Sequence, residues 1–111
     1  LMPIGLAGRV VASLPFDGRT QVLCEVPPTD AWHLMHSLPI EERVRTLRSL
    51  TRERQPLILS HIQSDDDRLA VLRMVPARER VHLMSGLSDH AATEALASMP
   101  PQEFAATIRY C

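Results

Sequence analysis

An aliphatic residue recurs every twelve positions along almost the whole chain, and this spacing constrains the fold more than any other feature of the sequence. It divides residues 3–111 into nine units that begin at residues 3, 15, 27, 39, 51, 64, 76, 88 and 100, with Gln63 as a single insertion. The ninth place of the unit is aliphatic in all nine copies: Val11, Leu23, Met35, Leu47, Leu59, Leu72, Met84, Leu96 and Ile108. A repeat this short and regular predicts a stack of small structural units.

Each unit has the pattern of one short amphipathic helix. Places five, eight, nine and twelve follow the spacing i, i+3, i+4, i+7, which puts them on one helical face. The first place is Pro, Ser or Thr in every copy, and these residues interrupt or cap helices. Helices of about nine residues are unstable alone, so each must pack on its neighbours. We therefore predict one all-α domain over residues 1–111, a right-handed superhelix, or solenoid, of about nine short helices.

The fifth unit departs from this pattern. Pro56 occupies its sixth place, where an interior proline would remove a helical hydrogen bond, and the insertion Gln63 follows the unit. We expect an irregular or shifted helix in this unit, beginning near Pro56.

Composition excludes several classes of protein. With 111 residues, 45% of them hydrophobic, the chain is long enough for one folded domain and too apolar for a disordered one. The formal net charge is −1, and no apolar stretch approaches the roughly 20 residues that cross a bilayer. We expect a soluble domain with no membrane span in this chain, while partners within a membrane complex remain an option.

Sequence motifs for catalysis are absent from the chain. It has no nucleophile elbow, metalloprotease helix or phosphate-binding glycine loop, and only four glycines from which to build one. Cys24 and Cys111 match no metal or redox spacing, and the repeat places no third ligand beside His33 and His36. We expect no enzymatic activity, no catalytic residues and no small-molecule substrate.

Residues suited to binding a partner are the remaining candidates. Arg45, Arg48 and Arg52 belong to a local basic run, and arginine is frequent at protein interfaces. Such a run would also suit RNA, but the slight negative charge and the scarcity of aromatic residues argue against nucleic acid. Trp32 and Tyr110 are aromatic anchors of the kind that bind partners, although Trp32, at the sixth place, is equally suited to burial against a neighbouring helix.

The terminal units are apolar where a solenoid needs polar caps. Arg9 is the only charged residue of the first unit, and the last unit ends in Ile108, Arg109, Tyr110 and Cys111. Either the chain continues beyond these units or a partner covers them.

Motifs of the form Leu-Pro-x-x-Glu-Arg, with variations, stand at the unit boundaries and resemble a known family. They occur as LPIEER from residue 38, VPARER from residue 75 and MPPQE from residue 99. This pattern is similar to the N-terminal cytosolic domain of MgtE magnesium transporters, and the flagellar motor switch protein FliG has a related superhelix. The resemblance covers nearly the whole chain and is specific for fold, not for function.

The resemblance also implies a ligand. In the transporter family this domain precedes paired nucleotide-binding-type modules and a membrane pore, and it helps to sense magnesium through acidic surfaces. Asp65, Asp66 and Asp67 form the only dense acidic cluster here, so they are the candidate Mg²⁺ ligands. The alternative is a helix start enriched in acids, since a hard cation needs several converging oxygens.

Three functions are compatible with these observations. The first is a non-catalytic scaffold or linker that binds other protein subunits of a larger assembly, for example a membrane-associated photosynthetic one. The second is the magnesium-sensing regulatory domain of an MgtE-type transporter, and the third is an RNA-binding helical repeat. The compartment is not specified by the sequence; an intracellular or organellar site, peripheral to a membrane complex, fits the first two functions.

Overall fold

The computed structural model describes residues 3–111, and these form nine α-helices. They are α1 (Ile4–Ser13), α2 (Phe16–Glu25), α3 (Pro28–Leu34), α4 (Ile40–Ser49), α5 (Arg54–Ser60), α6 (Asp65–Met74), α7 (Ala77–Met84), α8 (Asp89–Ala97) and α9 (Pro101–Ile108). None of the described residues forms a β-strand, which confirms the predicted all-α fold. Leu1 and Met2, which the predicted domain includes, lie outside the described residues.

Most helices begin directly after the first place of the twelve-residue unit, and the first-place residue is the N-cap. Six of them have a proline as the N-cap: Pro3, Pro15, Pro27, Pro39, Pro76 and Pro100. Ser64 and Ser88 cap α6 and α8, where each side-chain oxygen accepts a backbone N–H three residues later at 3.2 Å. The polar or cyclic residue at the first place therefore marks the start of each of these eight helices.

The fifth helix is shifted, as the sequence predicts. Its N-cap is Glu53 instead of the first-place residue Thr51, whose carbonyl accepts the amide of Arg54 at 3.1 Å. Pro56 is the third residue of α5, in the first turn, where a helix has no partner for a backbone N–H. Its missing donor is therefore tolerated.

Alternate helices pack on one another, so the molecule has two rows of helices. One row contains α1, α3, α5, α7 and α9, each in contact with the next, and the other contains α2, α4 and α6. Contacts of α1 with α2 and of α6 with α7 join the rows. The ninth-place side chains of the first six units are buried in the core, where aliphatic groups leave water. The stack measures 43 × 23 × 23 Å.

Arginine side chains at the fifth place lie on the core face and hold the turns between helices. Each donates to the carbonyl of the twelfth-place residue before it: Arg43 to Leu38 at 2.9 Å, Arg68 to Ile62 at 2.9 Å and Arg80 to Val75 at 3.2 Å. Gln55 makes the same bond to Leu50 at 2.8 Å. Carbonyls at the end of a helix lack helical partners, so these bonds satisfy groups that would otherwise need water.

Two of the fifth-place arginines also bridge helices within a row. Arg80, only 5% exposed, donates to Thr107 Oγ1 at 2.7 Å between α7 and α9. Arg19, 8% exposed, donates to Thr46 Oγ1 at 3.5 Å between α2 and α4 and contacts the Glu42 carboxylate at 3.2 Å. Both arginine–threonine pairs span 27 residues, so the same contact occurs once in each row.

Candidate functional site

A groove of about 380 Å³ opens between the start of α6 and helix α8. Asp65, Asp66 and Arg68 line one side, and Glu94 and Ser98 line the other. The α8 wall is otherwise made of alanines, whose small side chains leave the space open. Because Ser64 starts α6, the acids that follow it occupy the first turn, where the positive end of the helix dipole favours them.

The electrostatics of this acidic groove are set by three carboxylates and one guanidinium. Arg68 forms an ion pair with Asp65 and donates to the Ile62 carbonyl, so its charge is directed towards the turn and the start of α6. Glu94 lies 3.2 Å from His90 Nε2 on the same helix. The groove therefore carries an excess of negative charge, which suits a cation or a basic partner surface.

Within the part of the chain that the structure describes, the predicted acidic cluster does not form a complete metal site. Asp65 and Asp66 line the groove, whereas Asp67 is not part of its lining. Across residues 3–111, no three side chains of His, Cys, Asp or Glu converge on one point where they could hold a metal ion. His33 and His36 do lie together, with ring centroids 6.1 Å apart, but they are only two.

The predicted basic run is exposed and partly paired with acids. The Arg45 guanidinium carbon lies 4.0 Å from the centre of the Phe16 ring, and Nη1 lies 3.6 Å from the Glu42 carboxylate. Arg52 is exposed, and its backbone carbonyl lies 2.7 Å from His82 Nε2. These contacts tie the run to helices α2 and α7.

Arg48 makes the best-defined ion pair of this run. Its Nε and Nη2 atoms donate to the two Glu79 carboxylate oxygens at 2.9 and 2.8 Å, a bidentate arrangement. The hydrogen bonds that Arg48 donates to the Glu79 carboxylate raise the pKa of the Arg48 guanidinium above its ordinary value. Arg73 pairs with Glu103 at 2.9 Å in the corresponding position, so this ion pair between the rows also occurs twice.

The two predicted aromatic anchors have different environments. Trp32 is 3% exposed, and Arg43 lies over its ring at 5.2 Å. The expectation that Trp32 presents a surface to a partner is therefore corrected: α3 lies inside its row between α1 and α5, and the indole belongs to the core. Tyr110 is 47% exposed, with Arg78 at 5.7 Å from its ring, and remains accessible.

Sequence analysis missed the buried polar contacts between helices. Arg19, Thr46, Arg80 and Thr107 were not predicted to meet, although two signals were available. Arginine stands at the fifth place, inside the apolar face, and in both cases a threonine stands 27 residues later at the eighth place. A charged residue on a core face needs a buried partner, so this spacing could have identified the pairs.

Comparison with known proteins agrees with the helical architecture. Residues 26–109 match the family described as the MgtE intracellular N domain. No curated protein and no solved structure is similar enough to the chain to count as a match. Among residues 3–111, no helix is both long and apolar enough to cross a membrane. The match covers most of the sequence, and residues 3–111 form a series of nine short helices. The chain therefore belongs to the MgtE intracellular N domain family.

Proposed function

We propose that the chain is a non-catalytic regulatory domain of MgtE-type magnesium transport, in which the acidic groove between α6 and α8 responds to Mg²⁺. Family membership supports this proposal, since the family is described as the MgtE intracellular N domain and the resemblance of the sequence is to the MgtE magnesium transporters. The observation that carries it for this chain is the grouping of Asp65, Asp66 and Glu94 around one groove.

The chemistry of Mg²⁺ explains how an incomplete site can serve regulation. Mg²⁺ needs octahedral oxygen coordination, keeps several waters and is typically held by one or two carboxylates. Asp66 and Glu94 can supply carboxylates from opposite sides of the groove, while Asp65 is engaged by Arg68. The remaining ligands would come from water and from a second protein surface. Binding of the ion would then favour contact between the domain and that surface, because each supplies ligands that the other lacks.

A protein-binding scaffold or linker is the second candidate. Exposed Tyr110 beside Arg78, and exposed Arg45 and Arg52 on another part of the stack, favour it because these residue types supply most interface energy. Under this proposal the partners are protein subunits of a larger assembly and magnesium has no role. RNA binding has less support, because Arg48 and Arg45 already contact carboxylates that would compete with phosphates.

The test is a magnesium titration on the native complex. The protein is isolated under mild detergent, co-purifying chains are identified by mass spectrometry, and hydrogen exchange of residues 64–98 is followed with and without Mg²⁺. We expect a membrane transport protein in the complex and slower exchange in α6 and α8 when Mg²⁺ is present.

A matched pair of variants makes the result specific. Asp66→Asn with Glu94→Gln should abolish the magnesium effect, because both carboxylates are removed from the groove. Asp17→Asn with Glu25→Gln, on α2 far along the chain, should preserve it. A stable complex without a transport protein, whose exchange does not change with Mg²⁺, would favour the scaffold instead.

A further inference from the structure

The third unit carries two histidines side by side on the surface of the stack. His33 and His36, at its seventh and tenth places, are both exposed, and their ring centroids lie 6.1 Å apart with the ring planes at 60°. His82 and His90 each contact an oxygen atom of another residue. Among residues 3–111, neither imidazole of the pair has a hydrogen-bond or ion-pair partner. The ring nitrogens of the pair are therefore available to a ligand from outside the chain.

The backbone at the end of α3 brings the two rings together. The Met35 amide donates to the Trp32 carbonyl at 3.1 Å, and the His36 amide donates to the His33 carbonyl at 3.2 Å. These bonds between residues three apart are those of a 3₁₀ turn, in which side chains at i and i+3 are eclipsed. Trp32, Leu34 and Met35 are buried, so the core anchors the turn while the histidines stay on its outer side. The pair is thus held together before any ligand arrives.

The seventh unit ends in the same kind of turn but uses its histidine differently. There the seventh and tenth places are His82 and Ser85, and the Ser85 amide donates to the His82 carbonyl at 3.2 Å. The His82 ring lies 2.7 Å from the Arg52 carbonyl, so it joins α7 to the turn before α5. A contact of this kind accounts for a histidine at the seventh place. It does not account for His33 and His36, which make none.

The distance between the rings suits a shared metal ion. Zinc–imidazole bonds measure about 2.0–2.1 Å, so two rings that bind one ion have centroids roughly 5–6 Å apart. The observed 6.1 Å requires only a small rotation of the exposed side chains. Imidazole nitrogen suits Zn²⁺, Cu²⁺ and Ni²⁺, whereas Mg²⁺ prefers oxygen. The rings also stand at the carboxyl end of α3, where the helix dipole favours positive charge.

We propose that His33 and His36 chelate a divalent transition-metal ion of the Zn²⁺ class on the surface of α3. The two imidazoles supply two ligands, and water fills the other coordination positions until a second protein surface supplies side chains of its own. The site lies on a different helix from the acidic groove between α6 and α8 and uses nitrogen ligands in place of carboxylates. It is therefore independent of the proposed magnesium response.

A Zn²⁺ titration of the full chain tests the proposal. Calorimetry measures the affinity, and NMR spectra of the imidazole nitrogens identify which of the five histidines respond. We expect the signals of His33 and His36 to change together, at lower Zn²⁺ concentration than those of the other three. His33→Gln and His36→Gln should each weaken the binding of Zn²⁺ by about tenfold or more, because the second ligand of a chelate binds intramolecularly.

Matched variants separate this site from other zinc ligands. His61→Gln removes an exposed histidine of the turn after α5 and should leave the affinity unchanged. Asp66→Asn with Glu94→Gln removes carboxylates that also attract Zn²⁺, and it should leave the response of the pair unchanged.

Three results would overturn the proposal. The first is the absence of any response of the pair up to about 1 mM Zn²⁺, and the second is a simultaneous change of all five histidine signals. The third is an affinity that neither glutamine substitution of the pair reduces. Circular dichroism should show unchanged helix content in every variant, because the substituted histidines are exposed.

Discussion

Arg80 donates a hydrogen bond of 2.7 Å to the Thr107 hydroxyl, and through it α7 is joined to α9 in the interior of the stack. The same guanidinium donates to the Leu72 carbonyl at 2.7 Å and to the Val75 carbonyl at 3.2 Å. One buried side chain thus supplies hydrogen bonds to the end of α6, to the turn between α6 and α7, and to α9.

Replacing Arg80 by methionine should lower the free energy of unfolding by about 3 kcal/mol, because several buried acceptors lose their donor together. Arg9→Met, on the exposed face of α1, should change it by less than about 0.5 kcal/mol. Urea denaturation measures both values. Similar losses for the two variants would contradict the structural role of Arg80.

Arg48 and Glu79 should show a small, salt-sensitive coupling. A double-mutant cycle with alanine at both positions should give about 0.5–1 kcal/mol, because the pair is bidentate but reached by solvent. About 1 M salt should reduce the coupling, since screening acts on exposed charges. The exposed Arg45–Glu42 pair, at 3.6 Å, is the comparison and should give a value near zero. Equal coupling in the two pairs would contradict the bidentate geometry.

Gly86 should not tolerate a larger residue. A Cβ at this position would lie 2.5 Å from the Pro56 carbonyl oxygen, so Gly86→Ala should destabilise the protein by about 1–3 kcal/mol through overpacking. Gly5→Ala, where an added Cβ has no neighbour within 4 Å, should be neutral or stabilising. Thermal unfolding of both variants distinguishes a steric requirement from a general effect of removing glycine.

Ser88 should contribute a measurable cap to α8. Ser88→Ala removes the acceptor for the Ala91 amide and should cost about 1 kcal/mol of unfolding free energy. Ser88→Gly should lower the free energy of unfolding by only a few tenths of a kcal/mol, because water reaches the freed amide. An alanine variant as stable as the wild type would show that the side-chain cap is unimportant.

The fold was largely predictable because the repeat specifies helices locally. First-place proline and serine mark helix starts, and aliphatic places eight, nine and twelve mark the core face. The shifted start of α5 also followed from Pro56. The twelve-residue period alone could not reveal that alternate helices would pack on one another. This packing depends on the angle between consecutive helices at each turn, and the spacing of residues in the sequence does not determine that angle.

The candidate site was less predictable than the fold. Two acids of the cluster at residues 65–67 line a groove, but Glu94 reaches the same groove from α8 and was not identified by its sequence position. Trp32 illustrates the same limit, because the sixth place lies at the edge of the apolar face and only the packing of α3 between α1 and α5 determines its burial.

The packing of most helices on the helix two positions away has a consequence for how the chain acquires its structure. Among residues 3–111, side-chain hydrogen bonds join positions at most 31 apart, so no element waits for a distant segment before it can pack. Chains with such local contacts cross a low entropic barrier and reach the native state quickly. During synthesis the first helices can dock as soon as the third emerges, and each later helix adds to a surface that is already in place.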